Sequence, residues 1–101
     1  MKQKTPKRSK IELYATVLEV IKRYPEGSRV TKMSYGVGVP IDRLKRILTD
    51  LTSYGLVQTL TEEDEDGVFY VLTPRALDFL ETYWKMNSFL ETFGERPPHD
   101  F

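Results

Sequence analysis

Glu62, Glu63, Asp64, Glu65 and Asp66 form the densest run of potential metal ligands or acid–base groups in the chain. With Gly67 they imitate the first half of a calcium-binding loop, with oxygens at Glu62, Asp64 and Asp66 and a glycine for the sharp turn. The twelfth position of such a loop should be a bidentate glutamate, and here it is Thr73. The segment beyond Gly67, "VFYVL", is β-prone rather than ligand-bearing. Carboxylates crowded in a turn also lack the burial that tunes a catalytic pKa. The run reads as a hydrated hairpin tip, ahead of the alternative that it pairs with the basic N-terminal arm of its own or a second chain. The sequence has no cysteine, and its one histidine, His99, sits beside two prolines. That leaves no thiolate site, no nucleophile–base motif and no glycine-rich phosphate loop. No enzyme, metal or cofactor is expected.

The basic residues point to other chemistry. In "IDRLKRILTDLTS", with Leu44 facing inward, 100° per residue sets Asp42, Arg46, Thr49 and Ser53 on the outer face, flanked by Arg43 and Lys45. Arginine can bond a guanine edge with two hydrogen bonds, and threonine or serine can serve base or backbone. Asp42 and Asp50 temper the face. The plain alternative is a solvated helix face of mixed charge. Thr31 and Lys32 stand near the start of the preceding helical segment, where phosphate commonly binds, or they are an ordinary exposed pair. The opening "MKQKTPKRSK" offers Lys2, Lys4, Lys7, Arg8 and Lys10 as a flexible basic arm that tracks phosphates, or as a solubilising tail. Residues 1–48 hold 12 Lys and Arg against 4 Asp and Glu, whereas residues 49–101 hold 3 against 11. The net charge of zero therefore conceals a basic half suited to a polyanion and an acidic half that is not.

These groups need a scaffold. Residues 1–8 are read as the arm. Ile11, Tyr14, Leu18 and Ile21 recur at helical spacing, with Ser9 and Glu12 as a capping box and Pro25 and Gly27 as the stop. A short helix over 30–35 follows, with Gly36 and Gly38 as the turn. A second helix over 40–54 has Pro40 at its first position, a Leu44/Leu48/Leu51 stripe flanked by Ile41 and Ile47, and Gly55 at its end. "LVQTL" and "VFYVL" form a hairpin around the acidic loop. Thr73 caps a last helix, with Pro74 at its first position, that runs to Gly94. Residues 94–101 are read as a disordered tail.

That last helix carries more apolar surface than one neighbour can cover. Phe79, Tyr83, Met86, Leu90 and Phe93 are spaced four, three, four, three, as in a coiled-coil seam, with Ala76, Leu77, Leu80 and Trp84 on an adjoining face. The start is expected to pack inward and the remainder to pair with a second copy. The alternative is a long helix folded over its own core.

The order helix, helix, helix, strand, strand, long helix yields an α+β fold. With Thr31-Lys32-Met33-Ser34-Tyr35, the leucine ladder, Gly55-Leu56-Val57 and Tyr70-Val71-Leu72-Thr73, it resembles the archaeal winged helix-turn-helix family of ArnR-like small regulators and dimeric coiled-coil chromatin proteins. The resemblance covers residues 9 to about 93. It departs at Ala76, where the family often has glycine, and at the acidic hairpin. It implies a winged domain over 9–73, double-stranded DNA held by the helix at 40–54, and a homodimer, often antiparallel, through the helix at 74–93. No run of 18 apolar residues suggests a membrane segment, so the expected compartment is the cytoplasm. The residues expected at DNA are Lys7, Arg8, Lys10, Thr31, Lys32, Arg43, Lys45, Arg46 and Thr49. Those expected at the dimer seam are Phe79, Tyr83, Met86, Leu90 and Phe93. No small-molecule ligand is evident. Winged helices also serve as protein-interaction modules, and an acidic face that meets a basic partner is the competing reading.

Overall fold

The computed structural model describes residues 9–60 and 68–92. The arm at 1–8, the acidic run Glu62–Asp66, Phe93 and the tail at 94–101 lie outside the described residues. Within them the order is α1 (Lys10–Lys22), α2 (Val30–Val37), α3 (Ile41–Ser53), β1 (Val57–Leu60), β2 (Phe69–Leu72) and α4 (Pro74–Glu91).

The capping box at the start of α1 is present in full. Ser9 Oγ accepts from the Glu12 amide at 3.1 Å, and the Ser9 amide donates back to Glu12 Oε1 at 3.1 Å. Lys10 is therefore the first residue of α1, not part of the arm, because the cap fixes the backbone there. The buried face of α1 is wider than its spacing predicts. Leu13, Tyr14, Ala15, Val17, Leu18, Val20 and Ile21 are all buried, since the helix packs against α2, β2 and α4 at once. Ile11, expected in that face, is 47% exposed, because it lines an open groove between the start of α1, the end of α3 and the first turns of α4.

The turn between α2 and α3 is one residue pair later than expected. α2 continues through Gly36 to Val37, so that Met33 and Val37 can both enter the core. Gly38 alone makes the reversal, at φ +78°, and Ser34 Oγ donates to the Val39 carbonyl at 2.7 Å across it. Pro40 is the cap of α3, not its first helical residue. Leu44, Ile47, Leu48 and Leu51 form the buried stripe, while Ile41 is exposed. Each leucine taken wholly out of water contributes about 1.5–3 kcal/mol. Gly55, at φ +78°, follows the α3 cap and aims the chain into β1.

β1 and β2 pair antiparallel, with Val57 opposite Leu72 and Leu60 opposite Phe69. Ser28 adds one bridge to Tyr70 through amide–carbonyl bonds of 3.1 and 2.8 Å, which ties the entry to α2 to the hairpin. Thr73 caps α4, accepting from the Ala76 amide and donating to the Gly55 carbonyl, and Pro74 is the first helical residue. α4 ends at Glu91, short of the expected Gly94. Ala76 and Leu80 anchor it in the common core.

Candidate nucleic-acid interface

α3 packs against α2 and β1, with its leucines sunk in the common core and its opposite face in water. Asp42, Arg43, Lys45, Arg46, Thr49 and Ser53 are all exposed. The fold thus gathers the expected α3 side chains on one surface. Thr49 and Ser53 do not hold free hydroxyl protons, however. Thr49 Oγ1 donates to the Lys45 carbonyl at 3.0 Å and Ser53 Oγ to the Asp50 carbonyl at 2.8 Å. Their remaining capacity is to accept, which suits the amino group of a base better than a phosphate oxygen.

Asp50 leaves the set of groups that temper this face. Its Oδ2 accepts from the Tyr14 hydroxyl at 2.9 Å, a bond that joins α3 to α1. Burial first, and then the bond to Asp50 and contact with Tyr54, push the Tyr14 hydroxyl well above the ordinary tyrosine pKa. Tyr54 meets the Tyr14 ring edge-on, with centroids 6.0 Å apart. Asp42 remains at the exposed start of α3, where a carboxylate favours the positive helix end.

Thr31 and Lys32 lie exposed in the first turn of α2. The Lys32 ammonium sits 4.1 Å from the centre of the Tyr24 ring, which restricts where it can point. Lys7 and Arg8 lie outside the described residues. Two further groups on this side, Arg29 and Tyr35, are not among the residues expected at DNA. Arg29 packs its guanidinium over Phe69 at 4.9 Å. Only the Ser28–Tyr70 bridge brings these together, so no local pattern announces it. Tyr35 is 86% exposed. Its signal was present, because Met33 and Val37 face inward and the residue midway between them must face out. A cleft of about 380 Å³ separates α3 from the hairpin, lined by Leu48, Thr49, Thr52, Ser53, Thr59 and Tyr70.

α4 divides as expected into an inward start and a more exposed remainder, but the division cuts through the expected seam. Phe79 and Tyr83 pack on the chain's own core, their rings stacked with centroids 6.4 Å apart. Met86 is 47% exposed and Leu90 partly so, and Phe89, not among the expected seam residues, is 61% exposed. On the adjoining face Ala76 and Leu80 are buried, whereas Leu77 and Trp84 stay exposed, with the Lys22 ammonium 4.9 Å from the Trp84 ring. A groove of about 880 Å³ opens between the start of α1, the end of α3 and the first turns of α4.

Among the described residues no three His, Cys, Asp or Glu side chains gather as a metal site, and no helix is long and apolar enough to cross a membrane.

A family model described as winged helix-turn-helix matches residues 7–91. A search of curated proteins finds no match. Among solved structures, a point mutant of MepR from S. aureus is similar over 80% of this chain and 61% of its own, with a TM-score of 0.72 and 11% identity. FabT of Streptococcus pneumoniae, solved in complex with DNA, is similar over 86% and 62%, with a TM-score of 0.65 and 15% identity. The oxidised form of MarR from E. coli is similar over 71% and 51%, with a TM-score of 0.61 and 24% identity. This chain therefore spans between 51% and 62% of the length of these three structures, and at such identities the likeness is one of fold.

Proposed function

We propose that this chain, which belongs to the winged helix-turn-helix family by the match over residues 7–91, is a homodimeric double-stranded DNA-binding protein, a transcription regulator or chromatin-like protein that lays α3 in the major groove. The observation that carries the reading is the exposed Arg43, Lys45, Arg46 and Thr49 surface on a helix whose opposite face is locked into the core by Leu44, Leu48 and Leu51. A rigid helix with basic groups at fixed positions is what groove recognition requires. FabT, similar in fold, was solved in complex with DNA, which supports DNA as the partner. Thr31 and Lys32 would meet the flanking phosphates, with Lys7, Arg8 and Lys10 reaching them from the N-terminal side. The dimer reading rests on the apolar surface of α4 around Met86 and Leu90. The assignment to archaeal small regulators rests on the sequence motifs, and the cytoplasmic location on a sequence with no run of 18 apolar residues.

The test is duplex binding titrated against salt, with random and genomic DNA, for the chain and for its Arg43→Ala and Arg46→Ala variants. An arginine that reads a base costs about 1–3 kcal/mol when removed and relaxes preference at one position. An arginine that meets only phosphate weakens all sequences alike and lowers the salt slope by about one. Affinity unchanged by both substitutions would show that α3 is not the binding surface. No binding even at low salt would leave the protein-interaction reading in its place.

A further inference from the structure

We infer that Ile41 and Thr49 form a methyl-reading ridge on α3, by which this chain selects A·T base pairs in the major groove. The inference rests on the DNA-binding reading above. It adds which base pairs the helix prefers and which side chains choose them.

Ile41 is the first residue of α3 and is 38% exposed, although Leu44, Ile47, Leu48 and Leu51 of the same helix are buried. Its surroundings on the N-terminal side are not charged. From Met33 to Ile41 no residue carries a charge, in a sequence of which 30% is charged. Tyr35, Gly36, Gly38 and Pro40 in this stretch are exposed as well. The entry to α3 is therefore an uncharged surface that leads into the basic face. Asp42, the next residue, is exposed and acidic in the first turn. Its carboxylate offsets the positive end of the helix and repels phosphate. The start of α3 is thus a poor seat for the DNA backbone. In a helix laid in the major groove the N-terminal residues stand at base edges, and there the same residues have partners.

Ile41, Lys45 and Thr49 follow at steps of four, so they lie along one ridge of the helix, and all three are exposed. Ile41 and Thr49 stand about 12 Å apart along its axis. Thr49 Oγ1 donates to the Lys45 carbonyl at 3.0 Å, which fixes the rotamer. Its lone pairs and its methyl group are what remain to meet a base. In the major groove an A·T pair shows the adenine N6 amino group as a donor and the thymine C5-methyl group as an apolar feature, whereas a G·C pair has no methyl group. Thr49 offers both complements in one side chain. Ile41 offers the apolar one, with the Asp42 carboxylate next along the chain as the acceptor. A position that reads phosphate or guanine needs a donor, and neither Ile41 nor Thr49 has one to give.

The experiment compares alternating dA–dT and dA–dU duplexes of about 20 base pairs, enough for two half-sites a helical turn apart. They differ only in the C5-methyl groups. Fluorescence anisotropy with the full chain should show the dA–dT duplex bound at least about fourfold more tightly, the effect of burying one methyl group. Thr49→Ser deletes a single methyl group and keeps the hydroxyl. Ile41→Ser removes the apolar end of the other side chain at a site that is already exposed. Each should lower the ratio between the two duplexes, and the double variant should bring it to one. The exchange of probes tests the inference on the unchanged protein, so a variant that misfolds does not leave it open. Equal affinity for the two duplexes, or binding to random duplexes without binding to dA–dT, overturns the inference and leaves the DNA-binding reading standing. A ratio that survives the double substitution also overturns it, because the preference would then arise in the duplex or in other residues. Failure to bind any duplex at low salt overturns both readings together.

Discussion

Tyr14→Phe isolates the bond between α1 and α3. The substitution removes one oxygen and leaves the ring, which is buried, in place. A hydrogen bond to a charged group contributes about 1.5–3 kcal/mol when both partners are shielded. Here the bond is only part-buried, with Asp50 half-buried and Tyr14 lining the groove, so water can replace the lost donor. The expected loss at neutral pH is therefore about 1 kcal/mol, or roughly 4–8 °C in Tm for a domain of this size. The same bond has a pH signature. Burial, followed by the Asp50 carboxylate, raises the folded-state pKa of Tyr14 above its unfolded value. Its contribution is fully present below the unfolded tyrosine pKa and is lost as pH rises beyond it, because the unfolded chain ionises first. By pH 11 the unchanged chain should have lost at most about 1.4 kcal/mol through this group, and about half of that once solvent at the groove is allowed for. The phenylalanine variant cannot lose it. Urea unfolding followed by circular dichroism at pH 7, 9, 10 and 11 should show the two proteins separated at pH 7 and converging above pH 10, with the m-value unchanged. A gap that stays constant across this range would show that the hydroxyl is not held as described. A variant as stable as the parent at pH 7 would show that the bond contributes nothing.

Two glycines should respond differently to alanine, read by the same unfolding assay. Gly38, at φ +78° with open space where a Cβ would stand, should cost about 1–2 kcal/mol from backbone strain alone. Gly27, at φ +119°, would place a Cβ 3.0 Å from Phe69 Cβ, so strain and overlap add and about 2–4 kcal/mol is expected. An equal loss at both positions would mean that the loop before α2 is not pressed against β2. Ser9→Ala removes the hydroxyl of the capping box and should cost about 0.5–2 kcal/mol, with amide exchange accelerated in the first turn of α1 and not in α3. Uniform acceleration through both helices would contradict a local cap.

Local chemistry, read directly from the sequence, determined where most elements begin and end. Ser9 with Glu12, Thr73 with Pro74, and Gly55 act within three or four residues of themselves. Their helix termini therefore follow from residue type and spacing. The Leu44/Leu48/Leu51 ladder set the rotation of α3 and with it the exposure of Arg43, Lys45, Arg46 and Thr49, because a strongly segregated helix has only one orientation that hides its leucines. Other features depend on which elements meet, and no local pattern carries that. Asp50 looked like a charge on the groove-facing helix until α1 brought the Tyr14 hydroxyl within 2.9 Å of it. Ile11 fitted the apolar period of α1 but faces an open groove, across which α3 and α4 leave it half-exposed. Phe79 and Tyr83 shared a heptad with Met86 and Leu90, yet their own core took them up, since β2 and α1 happen to pass beside that part of α4 and not beyond it. Gly36 looked like a turn residue and is helical, because extending α2 by two residues beyond Tyr35 buries Val37. Helical periodicity fixes the angle at which a side chain leaves its axis; only the neighbouring elements decide whether anything stands at that angle to cover it.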